Sequence, residues 1–135
     1  MTLTFVDSGV LIAAARGEGE VCLRALEILD DPARSFASST FIELEVLPKA
    51  AFHKRSDESA FYKAFFAGVD RWAVPDTTLV QSALSFAAQA GLSALDALHV
   101  AAAVSVGAAE IITLEKTHKP IHRVNGIAVR TIHPG

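Results

Sequence analysis

Thr2-Leu3-Thr4-Phe5-Val6-Asp7-Ser8-Gly9-Val10-Leu11-Ile12 is the stretch that decides the fold. Thr2 to Val6 is short, β-branched and apolar, which favours a strand, and it stops abruptly at Asp7-Ser8-Gly9, where the helical run Val10 to Ala15 opens. A strand running straight into a helix is the building unit of an α/β fold. It also leaves an acid, Asp7, at the carboxyl end of a strand, the place where open α/β sheets bind ligands.

The rest of the chain repeats that alternation. Gly17-Glu18-Gly19-Glu20 precedes a helix in which Val21, Ala25, Leu26, Ile28 and Leu29 form an apolar stripe, ended by Asp31-Pro32; Cys22 belongs to this helix. Ser35 to Ser38 predicts a short strand, and Thr40 to about His53 a helix kinked or loosened at Pro48. Asp57 to Gly68 carries Phe61, Phe65 and Phe66 at helical spacing. Trp72-Ala73-Val74 reads as another strand, and Pro75-Asp76 opens a helix from Thr77 to Ala90, closed by Gly91. Ser93 to Val106 is apolar on most sides and belongs in the middle of the fold. Glu110 to Leu114 and Ile127 to Ile132 supply the last two strands, with Asn125-Gly126 as a turn between them. Such alternation predicts a mainly parallel sheet with helices on both faces.

Composition sets the bounds. With 135 residues and 51% hydrophobic content, the chain suits a single domain over 1–135. One cysteine excludes an intrachain disulfide framework and a cysteine-rich zinc site, so a reducing cytoplasm fits best. Met1 to Val6 lacks a basic leader region, and the longest apolar run, Ala97 to Ala109, is shorter than the roughly 20 residues that span a bilayer, so no membrane is expected. A net charge of -3 means that any affinity for nucleic acid must come from local basic patches. Lys49, His53, Lys54 and Arg55 form one such patch, and Lys116, His118, Lys119, His122 and Arg123 form another. A charge run is usually a solvated face, but both of these trail directly from acidic positions and so could hold a nucleic-acid backbone.

Four acids stand in or just beyond apolar stretches: Asp7, Glu43 or Glu45, Asp96 and Glu115. A charge there is expensive unless it is paired, hydrogen-bonded or holding a metal. Each has a purely structural alternative. Asp7 can cap the following helix, Ser93-Ala94-Leu95-Asp96 fits a capping box, and Glu115 can be a solvated strand end. Thr40-Phe41-Ile42-Glu43 also has capping-box spacing, which gives Glu43 a structural task and favours Glu45 for the site. His99, three residues after Asp96, reads as a satisfied core histidine or as a partner of Asp96. His118 and His122 are separated by Pro120, which disfavours the helix that would align them as zinc ligands. Taken jointly, the acids suit a hard divalent cation such as Mg²⁺ or Mn²⁺, which takes oxygen ligands, activates water and stabilises charge on phosphoryl oxygens.

The same residues carry a family resemblance. Phe5-Val6-Asp7-Ser8-Gly9-Val10-Leu11-Ile12 resembles the first strand and first acid of the PIN domain, the nuclease fold of VapC-type toxins. Leu44-Glu45-Val46-Leu47 resembles its second acidic motif, and Ser93-Ala94-Leu95-Asp96-Ala97-Leu98-His99-Val100-Ala101-Ala102 its third. Ile111-Ile112-Thr113-Leu114-Glu115 resembles the last strand and its acidic end, so the likeness runs nearly end to end. It implies a three-layer α/β/α sandwich, Mg²⁺ or Mn²⁺ dependence, endoribonuclease activity, a homodimer and an antitoxin partner whose tail occludes the site. By that resemblance Asp7, Glu45, Asp96 and Glu115 are the metal-binding and catalytic positions, with Ser8 as a polar neighbour. Two departures matter: Gly9 stands where the family commonly has a polar side chain, and Glu115 where it usually has aspartate. The alternative is a PIN-like module that binds RNA without turnover. A phosphatase of the haloacid dehalogenase type ranks below both, because Asp7-Ser8-Gly9 lacks a second aspartate two residues on.

Overall fold

The computed structural model describes residues 1–135 as five strands and six α-helices. In chain order these are β1 (Thr2–Val6), α1 (Ser8–Arg16), α2 (Gly19–Leu29), β2 (Arg34–Ser38), α3 (Thr40–Phe52), α4 (Ser56–Ala67), β3 (Arg71–Trp72), α5 (Thr77–Ala90), α6 (Ala94–Ser105), β4 (Glu110–Thr113) and β5 (Ala128–Thr131). A short 3-10 turn, Pro120–Arg123, lies between β4 and β5. The strands form one sheet in the order β3-β2-β1-β4-β5, parallel throughout, with the helices packed on it as an α/β/α sandwich. From β1 the chain builds outward to β2 and β3 on one side, then returns to place β4 and β5 on the other. The order therefore reverses beside β1, and a crevice opens there at the carboxyl ends of β1 and β4.

Local chemistry explains most boundaries. Asp7, Ser39, Asp76 and Ser93 stand at the N-caps of α1, α3, α5 and α6, and the side chains of the last three accept from Ile42, Leu79 and Asp96 N–H. Gly17 and Gly91 end α1 and α5 in left-handed conformations, with φ of 69° and 71°. α3 runs on through Pro48. The proline denies the Leu44 carbonyl its partner one turn later, but Leu44 and Pro48 both lie on the exposed side, where water serves that carbonyl.

Two expectations need correction. The Thr40–Glu43 capping box does not form, because Ser39 is the cap and accepts from Ile42 N–H at 3.4 Å. Of Trp72-Ala73-Val74 only Trp72 lies in β3, since Val74 precedes a proline and the chain turns there toward the Asp76 cap. Asn125-Gly126 bends the chain just before β5, which is parallel to β4 because the 3-10 turn carries the chain back first.

The core joins Phe5, Val6, Ile111 and Ile112 of the two central strands to the buried Ala97, Val100, Ala101, Ala102 and Ala103 of α6. Small side chains let α6 lie close to the sheet, which is why so alanine-rich a segment sits inside. No single helix is long and apolar enough to cross a membrane. At the amino ends of the strands, buried Glu110 accepts from Thr4 Oγ1 at 2.8 Å and Arg34 Nε at 3.1 Å, and it forms an ion pair with Arg130 Nε at 3.0 Å. One carboxylate thus ties β1, β2, β4 and β5 together. Arg130 is two-thirds exposed and contributes little, whereas Arg34 is mostly covered. Glu110→Ala is therefore expected to lower unfolding free energy by about 2–3 kcal/mol, read as a fall in urea midpoint at unchanged slope.

Candidate metal centre

Each acid reaches the crevice by a different element. Asp7 directly follows β1, and its own N–H completes the β1–β4 ladder on Ile112 O at 3.0 Å. Its Oδ1 accepts from Ser8 N–H at 2.8 Å, and its Oδ2 accepts from the Thr113 hydroxyl at 3.0 Å. The side chain is held at both oxygens and only 8% exposed. Thr113 Oγ1 in turn accepts from Glu115 N–H at 3.1 Å, so one hydroxyl at the end of β4 fixes Asp7 and steers the turn carrying Glu115. From the far side, His122 Nε2 donates to the Glu115 carbonyl at 2.9 Å. His122 lies inside the 3-10 turn and His118 before it, as expected from Pro120.

Glu45 comes from the second turn of α3 and Asp96 from the first turn of α6. Asp96 N–H donates to Ser93 Oγ at 3.3 Å, so its backbone serves the cap while its side chain lines the crevice. Asp7, Glu45, Asp96 and Glu115 all line one cleft of about 170 Å³, together with Ser8, Gly9, Thr113 and Leu114. Glu43 is not among them. No lysine or arginine lines the cleft, so four carboxylates meet there without a cationic side chain.

His99 is buried, as a core histidine would be, but its polar partner is not the one that helical spacing suggests. It is 1% exposed, and its Nε2 bonds Glu45 Oε1 rather than Asp96. The ligand atoms of Asp7, Glu45 and His99 lie within 4.8 Å of one another, with Asp96 and Glu115 on the same cleft outside that trio. No signal in the sequence marks this pairing, because residues 45 and 99 meet only through the packing of α3 on α6. Thr113 was also passed over, since a threonine at a strand end is the ordinary β-former.

The two central acids titrate in opposite directions. Burial, reinforced by Asp96, pushes the Asp7 carboxyl above its usual range, against the opposing pull of His99, Thr113 and Ser8. Burial acts upward on Glu45 too, but the His99 bond and charge, with Ser8 and Lys49, hold it below the usual range. Asp7 is thus a carboxylate whose burial outweighs the opposing pull of His99, Thr113 and Ser8. An all-oxygen donor set of this kind fits a hard divalent cation.

A parallel sheet whose order reverses beside an acid-lined cleft at β1 and β4 defines an α/β protein with its crevice where such sheets bind ligands. The PIN domain family profile matches residues 4–123, and the chain belongs to that family. No curated protein sequence matches it significantly. Its fold is similar to that of a chain in the crystal structure of VapBC2 from Rickettsia felis bound to a DNA fragment from their promoter, with a TM-score of 0.72 and 13% identity over 96% of this chain and 98% of the other. It is similar also to a chain of DNA-bound VapBC from Salmonella typhimurium, with a TM-score of 0.69 and 16% identity over 97% and 98%. VapBC-1 from nontypeable Haemophilus influenzae gives 0.68 and 15% over 96% and 98%. At these identities the likeness is one of fold.

Proposed function

We propose that this protein is a metal-dependent endoribonuclease, the toxin of a toxin–antitoxin pair, with Asp7, Glu45, Asp96 and Glu115 as its metal-binding and catalytic residues. The observation that carries the reading is the meeting of four carboxylates from four parts of the fold in one small cleft that no lysine or arginine lines. Membership of a family whose domains are generally nucleases supports it. Mg²⁺ or Mn²⁺ bound there supplies Lewis acidity to the phosphodiester and an activated water for its hydrolysis. Asp7, pinned by Ser8 and Thr113, provides a fixed anchor. Glu45 is held ionised by His99, and Glu115 enters on a turn braced by Thr113 and His122.

RNA is the substrate in this reading, held by exposed cations on both sides of the cleft. Lys49 stands one helical turn beyond Glu45, followed by Lys54 and Arg55, while Lys116 and Lys119 follow Glu115. These supply the local positive charge that a net of -3 does not. An antitoxin fits the exposed apolar ridge of Leu44, Pro48 and Phe52 on α3, which starts beside the cleft. A homodimer fits the groove between α5 and α6, where Val80 and Leu84 are exposed above Ala87 and Leu98. The cytoplasm, with its reducing conditions, suits the lone buried Cys22.

The test is cleavage of a mixed RNA panel with Mg²⁺, Mn²⁺ or chelator. Glu45→Gln is expected to slow cleavage about a hundredfold, while Glu43→Gln stays within about threefold. RNA that is bound yet remains intact at every Mg²⁺ and Mn²⁺ concentration identifies a binding module instead. The longer Glu115 carboxylate is the feature that would then explain the lost turnover.

A further inference from the structure

The side chain of Glu45 is 28% exposed and has three free torsions, yet it must enter the cleft in one direction to share a ligand with Asp7. What fixes it is His99. We propose that His99 is a positioning residue: its Nε2–H holds Oε1 of Glu45 and sets the direction in which that carboxylate enters the cation site. This inference rests on reading the cleft as a cation site.

Three observations support it. First, the imidazole is immobile. It sits on the core side of α6, is 1% exposed, and lies against Phe5 of β1 with ring centroids 6.3 Å apart. Phe5 is two residues before Asp7, so the same packing that holds the ring also holds the strand delivering the first acid. Second, its polarity has no other use. Nδ1 is buried with no hydrogen-bond partner, and the contact with Glu45 is the only hydrogen bond the ring makes. A histidine kept merely to fill the core would satisfy both nitrogens or be replaced by an apolar residue at lower cost. Third, the donor is implied: an ionised carboxylate only accepts, so in the His99–Glu45 bond the hydrogen is on Nε2. With its hydrogen aimed at Glu45, Nε2 has no lone pair to offer a cation, although it lies among the candidate ligand atoms. His99 therefore acts through Glu45 and not as a ligand, in the manner of the outer partners that orient metal ligands elsewhere.

The experiment compares three variants of the full chain by Mn²⁺ titration, followed by calorimetry and electron paramagnetic resonance, with a melting curve for each. His99→Leu keeps bulk but donates nothing, and is expected to weaken Mn²⁺ binding roughly 10–100-fold while the melting transition persists. His99→Gln places an amide near the former Nε2 and should recover most of that loss. His99→Asn, whose amide ends at the level of Nδ1, should not recover it. The Gln and Asn pair decides the matter even if the Leu variant fails to fold. Wild-type affinity in both His99→Leu and His99→Asn would overturn the inference and make His99 a core residue only. Equal loss in all three, with the preference for Mn²⁺ over Mg²⁺ also lost, would overturn it in favour of direct ligation. A wild-type chain that binds no Mn²⁺ at all would remove the cation reading itself, a result distinct from either of these.

Discussion

Asp7→Asn is expected to reduce metal-dependent RNA cleavage by at least about a thousandfold and to raise the melting midpoint by a few degrees in chelator. The first effect follows from charge. Metal-assisted stabilisation of a phosphoryl transition state is worth several kcal/mol, and about 4 kcal/mol corresponds to a thousandfold in rate. Asparagine offers a neutral oxygen where the buried anchor was anionic. The second effect follows from burial. Asp7 is 8% exposed, and its carboxyl is pushed above the usual range chiefly by burial, so at neutral pH its ionised form opposes folding. Asparagine caps a helix as well as aspartate, and its amide oxygen can still accept from Ser8 N–H. Its NH₂ replaces the oxygen that received the Thr113 hydroxyl, which costs part of the gain. A net of about 1 kcal/mol, or a rise of roughly 3–5 °C for a chain of this size, is the expected balance. A midpoint lowered by several degrees would mean that the Thr113 bond outweighs the buried charge. Unchanged cleavage would remove Asp7 from the chemistry.

How far the chain could be read in advance depended on whether the information was local. Thr2–Val6, the break at Asp7 and the apolar run before Glu115 are contiguous, and so the strands and the two acids at their ends were legible. Glu45 lines the cleft and Glu43 does not, yet the capping box that favoured Glu45 over Glu43 belongs to no residue pair here, because Ser39 is the cap. Parallel pairing of β5 agrees with the mainly parallel sheet that strand–helix alternation predicts, while the 3-10 crossover before Asn125-Gly126 carries no local mark in the sequence. The sequence reads His99 as a core histidine, which its 1% exposure fits, or by helical spacing as a partner of Asp96. The fold instead aims it across to α3, a contact between residues 54 apart that no local rule encodes.

Removing divalent metal with chelator is expected to abolish cleavage, and adding Mn²⁺ at a hundred times its dissociation constant should stabilise the fold by about 2.7 kcal/mol, roughly ten degrees in melting midpoint. The size of that gap should depend on pH, with a sign set by Asp7. Because its folded carboxyl is raised, its contribution to the metal-free fold is fully present below the ordinary carboxylate range and is lost as pH rises through the raised value. Glu45 runs the other way: its depressed carboxyl contributes above the ordinary range and loses that contribution only as pH falls through its folded value. Over the interval between the ordinary carboxylate range and the raised value of Asp7, Glu45 is already ionised, so of these two acids Asp7 is the one that exchanges its proton. Proton and cation compete for Asp7 there, so apparent affinity should fall about tenfold for each pH unit lowered and level off above the raised value. Melting curves in chelator and in excess Mn²⁺, taken upward from the ordinary carboxylate range, should diverge as pH rises, the metal-free midpoint drifting down while the metal-bound one holds. Parallel curves would show that the cation does not displace a proton from Asp7, and the anchor of the site would then have to be sought among Glu45, Asp96 and Glu115.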